Sequence, residues 1–110
     1  MINIQIFAKD IDLTDSIRVF IEEKISSLTK LFGNKSQVDA KVEIARTTHH
    51  HRSGLVFYAE VNLTVAGELI RAEAYNNDVR NAITEVKDDL KLQINKFKEK
   101  RKDLSRQPKK

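Results

Sequence analysis

The feature that most constrains the fold lies between Glu68 and Lys102, where the spacing of apolar residues changes from two to three or four. Residues 69–75 alternate, with Ile70, Ala72 and Ala74 on one side, which predicts a β-strand. The apolar positions that follow recur as on one face of a helix: Val79, Ala82, Ile83, Val86, Leu90, Ile94 and Phe97. This spacing predicts an amphipathic helix of about 25 residues, roughly 38 Å long. Strand and helix must therefore share a core.

The boundary between these two elements is a polar segment, Asn76-Asn77-Asp78. Asn76 or Asn77 is the predicted N-cap, because a short polar side chain accepts a hydrogen bond from the free amides of the first turn. Asp78 would place negative charge at the positive end of the helix dipole. We therefore expect the helix to begin directly after this segment.

A two-residue turn at Ala66-Gly67 predicts a β-hairpin with the preceding apolar strand, Leu55–Val65. The turn sets the register, which brings the apolar faces of the two strands together. It pairs Val65 with Glu68, Leu63 with Ile70, Val61 with Ala72, Ala59 with Ala74, Tyr58 with Tyr75 and Asn62 with Arg71. A slip of one residue would expose the apolar side chains of the last strand, so the register is well specified.

The first half of the chain supplies two more strands and a helix. Alternating isoleucines predict a strand near residues 2–7, and a second strand covers residues 38–45. The helix between them should begin after the N-cap Thr14 and stop at Gly33-Asn34. The order is β-α-β-β-β-α, an α+β fold with one four-stranded mixed sheet and both helices on the same face. The first two strands should be parallel if they are adjacent, with a right-handed crossover, and the other pairs antiparallel.

Composition limits the class of protein. The 110 residues suit one domain, which we place at residues 1–103, followed by a basic disordered tail at 104–110. The absence of cysteine excludes disulfides and thiolate metal sites. No apolar stretch approaches the roughly 20 residues that cross a bilayer, and the N-terminus does not resemble a signal peptide. We expect a cytoplasmic protein without membrane contact.

The predicted second helix carries a one-sided distribution of charge. Five cations project about 100° from the centre of its apolar face, and we call them the basic ridge: Arg80, Lys87, Lys91, Lys98 and Lys102. No acidic residue falls within this arc, whereas the opposite flank mixes both signs. A helix that is only solvated usually intersperses its charges, so the ridge favours a surface for a polyanion. A solvated face with chance segregation is the alternative.

Lys24 interrupts the apolar face of the first helix. One interpretation is a long stem that packs against the core while its ammonium group reaches water. The other is a lysine held at the edge of the core and directed at a phosphate. The sequence leaves both open.

No catalytic or cofactor site is indicated. His49-His50-His51 has no carboxylate or cysteine at ligand spacing, so we interpret it as an exposed polar loop rather than a metal site. Once protonated, that loop could touch RNA phosphate. The three glycines are isolated and form no phosphate loop. We expect neither an enzyme nor a small-molecule substrate.

Several segments, in this order and spacing, are similar to one known family: residues 1–32, with LTD at 13–15 and EEK at 22–24, then RAEA at 71–74, AI at 82–83 and QINKFKEK at 93–100. They resemble the ribosome hibernation-promoting factors, also called the ribosome-associated inhibitor or sigma-54 modulation family. The resemblance covers residues 1 to about 103 and implies the same fold. It also implies binding to the 30S subunit and 70S ribosome at 16S rRNA, in the mRNA and tRNA channel, with inhibition of translation during stationary phase or stress.

The resemblance also implies which basic residues meet RNA: Lys24, Lys30, Arg71, Lys96, Lys98 and Lys100. Together with the ridge and Arg101, the predicted RNA-binding set is Lys24, Lys30, Arg71, Arg80, Lys87, Lys91, Lys96, Lys98, Lys100, Arg101 and Lys102. The chain departs from the family at Asp89, Leu92 and Asn95, where basic residues are common.

A different class of function stays open beside this one. Leu69 and Leu92 lie outside the predicted core pattern. They suit a protein-interaction module that dimerises or binds an acidic partner, as a modulator of transcription or assembly. Nothing else in the sequence indicates self-association.

Overall fold

The computed structural model describes residues 2–32, 37–47 and 56–106, with side chains described up to residue 99. Its elements are β1 (Ile2–Lys9), α1 (Asp15–Thr29), β2 (Val38–Thr47), β3 (Val56–Val65), β4 (Glu68–Asn76) and α2 (Val79–Arg106). The predicted order β-α-β-β-β-α is confirmed. The helix α2 has 28 residues and ends at Arg106, so it includes the first three residues of the segment 104–110 that is predicted as a tail. Residues 107–110 lie outside the described part.

The four strands form one mixed sheet in the order β1-β2-β3-β4. β1 and β2 are parallel, and the other two neighbouring pairs are antiparallel. Two parallel strands need a long connection, which α1 provides. Both helices pack on the same face and share one hydrophobic core with the sheet, as predicted.

The hairpin between β3 and β4 has the predicted register in every pair named above. Ala66 and Gly67 adopt φ angles of 52° and 80°, the positive values of a type I′ turn. The twist of this turn matches that of the two strands. An alanine in this conformation has a cost, because its Cβ crowds the following carbonyl oxygen.

The N-cap of α1 is Thr14, as predicted, and its Oγ1 accepts a hydrogen bond from Ile17 N at 3.2 Å. The predicted stop at Gly33-Asn34 is wrong, since α1 ends at Thr29. The Thr29 hydroxyl donates to the Ser26 carbonyl at 2.7 Å, and such back-bonding competes with the helical ladder. The chain then tightens into bonds that reach back three residues, from Leu31 N to Leu28 O and from Phe32 N to Thr29 O.

The N-cap of α2 is Asp78, so the assignment to Asn76 or Asn77 is wrong. Asp78 Oδ1 accepts from Arg80 N at 2.8 Å and from Asn81 N at 3.4 Å. Asn76 is still paired in the sheet, opposite Phe57, and its Oδ1 accepts from Asp78 N at 3.1 Å. The asparagine therefore shapes the turn, and the aspartate supplies both the cap and the favourable charge.

The core lies between the sheet and the two helices. Its largest fully buried side chains come from both layers and include Ile21, Ile25, Leu28, Ile44, Leu63, Ile83, Leu90 and Ile94. Ala59 and Ala72 are also buried, and these small side chains let α2 lie close to β3 and β4. The side of α2 that faces the sheet is thereby fixed, and its basic ridge is held on the adjoining flank.

Candidate nucleic-acid interface

The basic ridge borders α1, and the two helices run in the same direction. Near their N-termini, Arg80 Nη2 donates to Ser16 Oγ at 2.6 Å. Further along, Lys24 of α1 is near enough to Asp88 of α2 for its charge to lower the pKa of that carboxyl group. Lys24 follows Ser16 by eight residues, and Asp88 follows Arg80 by eight residues. The two helices therefore run parallel to each other. Cations from α1 and α2 thus share one interhelical surface.

On this surface, the ring of Phe20 contacts one cation from each helix. Lys24 Nζ is 5.2 Å from the centroid of the Phe20 ring, and Arg80 Cζ is 5.8 Å from it. The electron-rich face of an aromatic ring attracts a cation at these distances. Lys24 is half-buried, so its stem packs against α1 while its ammonium group reaches the ring. The structure therefore brings together two predicted RNA-binding residues from different helices.

The ridge has an acidic neighbour that the helical projection did not place in it. Asp88 Oδ1 lies 2.8 Å from Lys87 Nζ, although the two residues are adjacent in sequence. The hydrogen bond from Lys87 lowers the pKa of Asp88, and the charges of Lys87, Lys91 and Lys24 lower it further against the effect of burial. Asp88 projects outside the arc of the ridge, as expected, but its carboxylate nevertheless pairs with a ridge lysine.

The other ridge residues with described side chains, Lys91 and Lys98, are exposed to solvent. Lys102 continues the ridge by its position on α2, whereas Lys100 and Arg101 lie on the same helix outside the ridge. The side chains of all three lie outside the described part. Lys30 is the exposed C-cap of α1. Lys91 and Lys98 thus keep the described part of the ridge accessible to solvent.

Two predicted site residues lie away from the interhelical surface. Lys96 is exposed, and helical geometry puts it on the flank of α2 opposite the ridge. Arg71 lies on the face of the sheet that the helices leave open, where its Nε donates to Glu60 Oε2 at 2.6 Å and its Nη2 lies 3.3 Å from Glu73 Oε2. The hydrogen bond to Glu60 raises the pKa of Arg71. The structure therefore does not join Arg71 and Lys96 to the ridge.

The open sheet face carries a row of carboxylates. The strand register places Glu43, Glu60 and Glu73 side by side across β2, β3 and β4. Next to this row, the rings of Tyr58 and Tyr75 are 4.9 Å apart. Burial, followed by the charges of Glu60 and Glu73, raises the pKa of Tyr58 to about 12. The predicted register of the hairpin already paired the two tyrosines. The row of glutamates could not be predicted from it, because Glu43 joins the row only through the pairing of β2 with β3.

A depression of about 240 Å³ opens beside these tyrosines, with Lys9, Glu43 and Arg46 also in its lining.

In the described ranges, no cluster of three or more histidine, cysteine or acidic residues is arranged to hold a metal ion. His49, His50 and His51 lie outside those ranges, so their assignment to a polar loop stays a prediction. Within the same ranges, neither helix is both long and apolar enough to span a membrane.

Comparison with known protein families gives a match over nearly the whole described chain. The model of the family described as "Sigma 54 modulation protein / S30EA ribosomal protein" matches residues 4–102. The ribosome hibernation promotion factor of Lactococcus lactis is 32% identical over 98 residues, covering 89% of this chain and 50% of the relative. The factor of the same name from Deinococcus radiodurans is 30% identical over 94 residues, with coverages of 86% and 48%. The chain therefore spans about half the length of these curated relatives.

Solved structures of similar fold are also found. The crystal structure of the Thermus thermophilus Protein Y N-terminal domain has a TM-score of 0.73 and 26% identity, covering 86% of this chain and 98% of that domain. A ribosomal subunit interface protein from Coxiella burnetii has a TM-score of 0.62 and 20% identity, with coverages of 89% and 98%. The second likeness shows the fold alone. The β-α-β-β-β-α arrangement is thus found as a complete domain in other proteins.

Proposed function

Because the chain belongs to the sigma 54 modulation protein / S30EA ribosomal protein family, we propose that it is a non-enzymatic, cytoplasmic ribosome hibernation factor. It binds 16S rRNA of the small subunit in the mRNA and tRNA channel, in 30S subunits or 70S ribosomes, and inhibits translation in stationary or stressed cells. The observation that carries this proposal is the family match over residues 4–102, joined to curated relatives named for ribosome hibernation promotion.

The distribution of charge supports a nucleic-acid partner on the helical side. Lys91 and Lys98 are exposed on a helix whose apolar side is packed into the core, so their backbone positions are fixed before binding. Such residues neutralise phosphates and release counterions, which makes affinity depend strongly on salt. Phosphate contacts position the protein, and base contacts are few in this arrangement.

The opposite face of the molecule supports the same orientation. The row formed by Glu43, Glu60 and Glu73 would repel phosphate, and the guanidinium of Arg71 is already paired with two of these carboxylates. A polyanion is therefore attracted to the helices and repelled from this part of the sheet. We infer that the ridge and the interhelical surface face the rRNA.

The test is a titration of purified 30S subunits at several salt concentrations. The double variant Lys91→Glu with Lys98→Glu should bind more than tenfold more weakly, about 1.4 kcal/mol. Removing one contacting lysine should lower the salt slope by about 1. Circular dichroism should not change, because both side chains are exposed. Lys96→Glu separates the two sources of prediction, since only the family resemblance makes Lys96 a contact.

A matched control has the same change in charge on the other face. Lys9→Glu with Lys41→Glu alters two exposed lysines of the open sheet face and should reduce affinity much less than the ridge variant. Equal losses in both double variants would mean that net charge alone governs binding. A ridge variant that binds like wild type at every salt would place the RNA site elsewhere.

A protein-interaction module is the second candidate, and the exposure of Leu69 (64%) and Leu92 (62%) favours it. The two leucines do not form one surface, however, because Leu69 projects from the open sheet face and Leu92 from α2. Sedimentation with ribosomes distinguishes the candidates. A module that only binds proteins other than ribosomal ones would not follow the 30S subunit through a gradient.

A further inference from the structure

The carboxylate of Asp88 lies among cations from both helices. Its Oδ1 is 2.8 Å from Lys87 Nζ. Lys91 follows three residues later, a spacing that places two side chains on the same side of a helix. Lys24 approaches from α1, where the Phe20 ring holds its ammonium group. Asp88 is thus paired with Lys87, and the charges of Lys91 and Lys24 are near enough to lower the pKa of its carboxyl group further.

The exposure of the Lys87–Asp88 pair shows how an external anion would meet it. The Lys87 side chain is 22% exposed, whereas that of Asp88 is 63% exposed. A phosphate that approaches Lys87 from solvent therefore encounters the carboxylate beside it. An exposed ion pair of this kind contributes little to folding stability, so the fold does not depend on it. Removing the pair should therefore change anion binding without unfolding the protein, so its effect on affinity can be measured.

We propose that Lys24, Lys87 and Lys91 form one phosphate-binding subsite across the two helices, and that Asp88 is its built-in competitor. In the free protein, Asp88 is paired with Lys87, and a backbone phosphate of RNA must compete with that carboxylate for the ammonium group. Asp88 thereby limits affinity and favours RNA with closely spaced phosphates, because several new contacts together can outweigh one lost pair. This inference rests on the proposed function, which supplies the RNA.

The experiment compares Asp88→Asn with Asp89→Asn. The two variants change adjacent residues and net charge equally, but Asp89 accepts from Gln93 Nε2 at 3.3 Å, beside β4 and away from the ridge. At low salt, Asp88→Asn should raise affinity for purified 30S subunits about three- to tenfold. It should also steepen the salt slope by about 1, because Lys87 becomes free to neutralise a phosphate. Asp89→Asn should change affinity less than about twofold, since it releases no lysine of the subsite.

Coupling to Lys87 provides the decisive control. In a Lys87→Ala background, the gain from Asp88→Asn should shrink to that of Asp89→Asn, because no lysine remains to be released. Equal effects of the two aspartate variants, or a gain that persists without Lys87, would overturn the inference.

A second probe, a short RNA duplex of unrelated sequence, makes the outcomes distinguishable. If wild type does not bind 30S subunits, the proposed function fails, and the duplex titration still tests the subsite. If wild type binds the subunits and both aspartate variants behave alike, the function stands and the role of Asp88 is refuted.

Discussion

Replacing Ala72 with leucine tests how closely α2 lies on the sheet. Ala72 is 4% exposed and opposes Val61, which is 1% exposed, on the face that α2 covers. Leucine adds three carbon atoms, and burying them would be worth about 2.4 kcal/mol if space were present. In a closely packed layer, the added atoms instead displace their neighbours, which costs roughly 1 to 3 kcal/mol. We therefore expect a net destabilisation of about 2 kcal/mol.

Urea denaturation followed by circular dichroism measures this change. The stability of a small domain falls by about 1 to 3 kcal/mol per molar urea. A loss of about 2 kcal/mol should therefore lower the midpoint by about 1 M. Ala74→Leu is the matched control, because Ala74 lies on the same face of β4 but is only half-buried. It should shift the midpoint less. An unchanged midpoint for Ala72→Leu would refute the close approach of helix and sheet.

Two further predictions concern the sheet. Tyr58 should titrate near pH 12 in an ultraviolet absorbance titration, because burial and then Glu60 and Glu73 disfavour its phenolate. Its folded pKa lies above the unfolded value of about 10, so its contribution to stability is complete below that value and is lost as pH rises towards 12. Titration of Tyr58 at its ordinary pKa would contradict the burial. Ala66→Asn should raise the free energy of unfolding by about 0.5 to 1 kcal/mol, because Asn-Gly suits a type I′ turn; a lower melting temperature would count against that turn.

The parts of the fold that were predictable depend on short-range rules. The register of β3 and β4 follows from a two-residue turn and a period of two, which leave one arrangement with a common apolar face. The helix ends were less predictable, because competing local hydrogen bonds decide them. Thr29 ends α1 before the glycine signal, and Asp78 prevails over Asn76, which the sheet still holds.

The sequence predicted which flank of α2 the basic residues share, but it did not predict their contacts. A helical projection grouped Arg80, Lys87 and Lys91 on one flank, but it could not show that Lys87 pairs with Asp88. The cation–π contacts at Phe20 join two helices separated by three strands in sequence, so no local pattern contains them. Of the two ion pairs of Arg71, the one with Glu60 depends on the register of β3 and β4, whereas Glu73 lies two residues away on the same strand.

The two sides of α2 have different consequences for how such a chain can evolve. Residues such as Leu90 and Ile94 are fully enclosed, and most changes there reduce stability. Lys91 and Lys98 touch solvent, so a substitution there alters surface charge and leaves the packing intact. Affinity for a polyanion can therefore change by single substitutions, and none of the variants along the way needs to lose its fold. One helix lets selection adjust binding strength and folding stability separately.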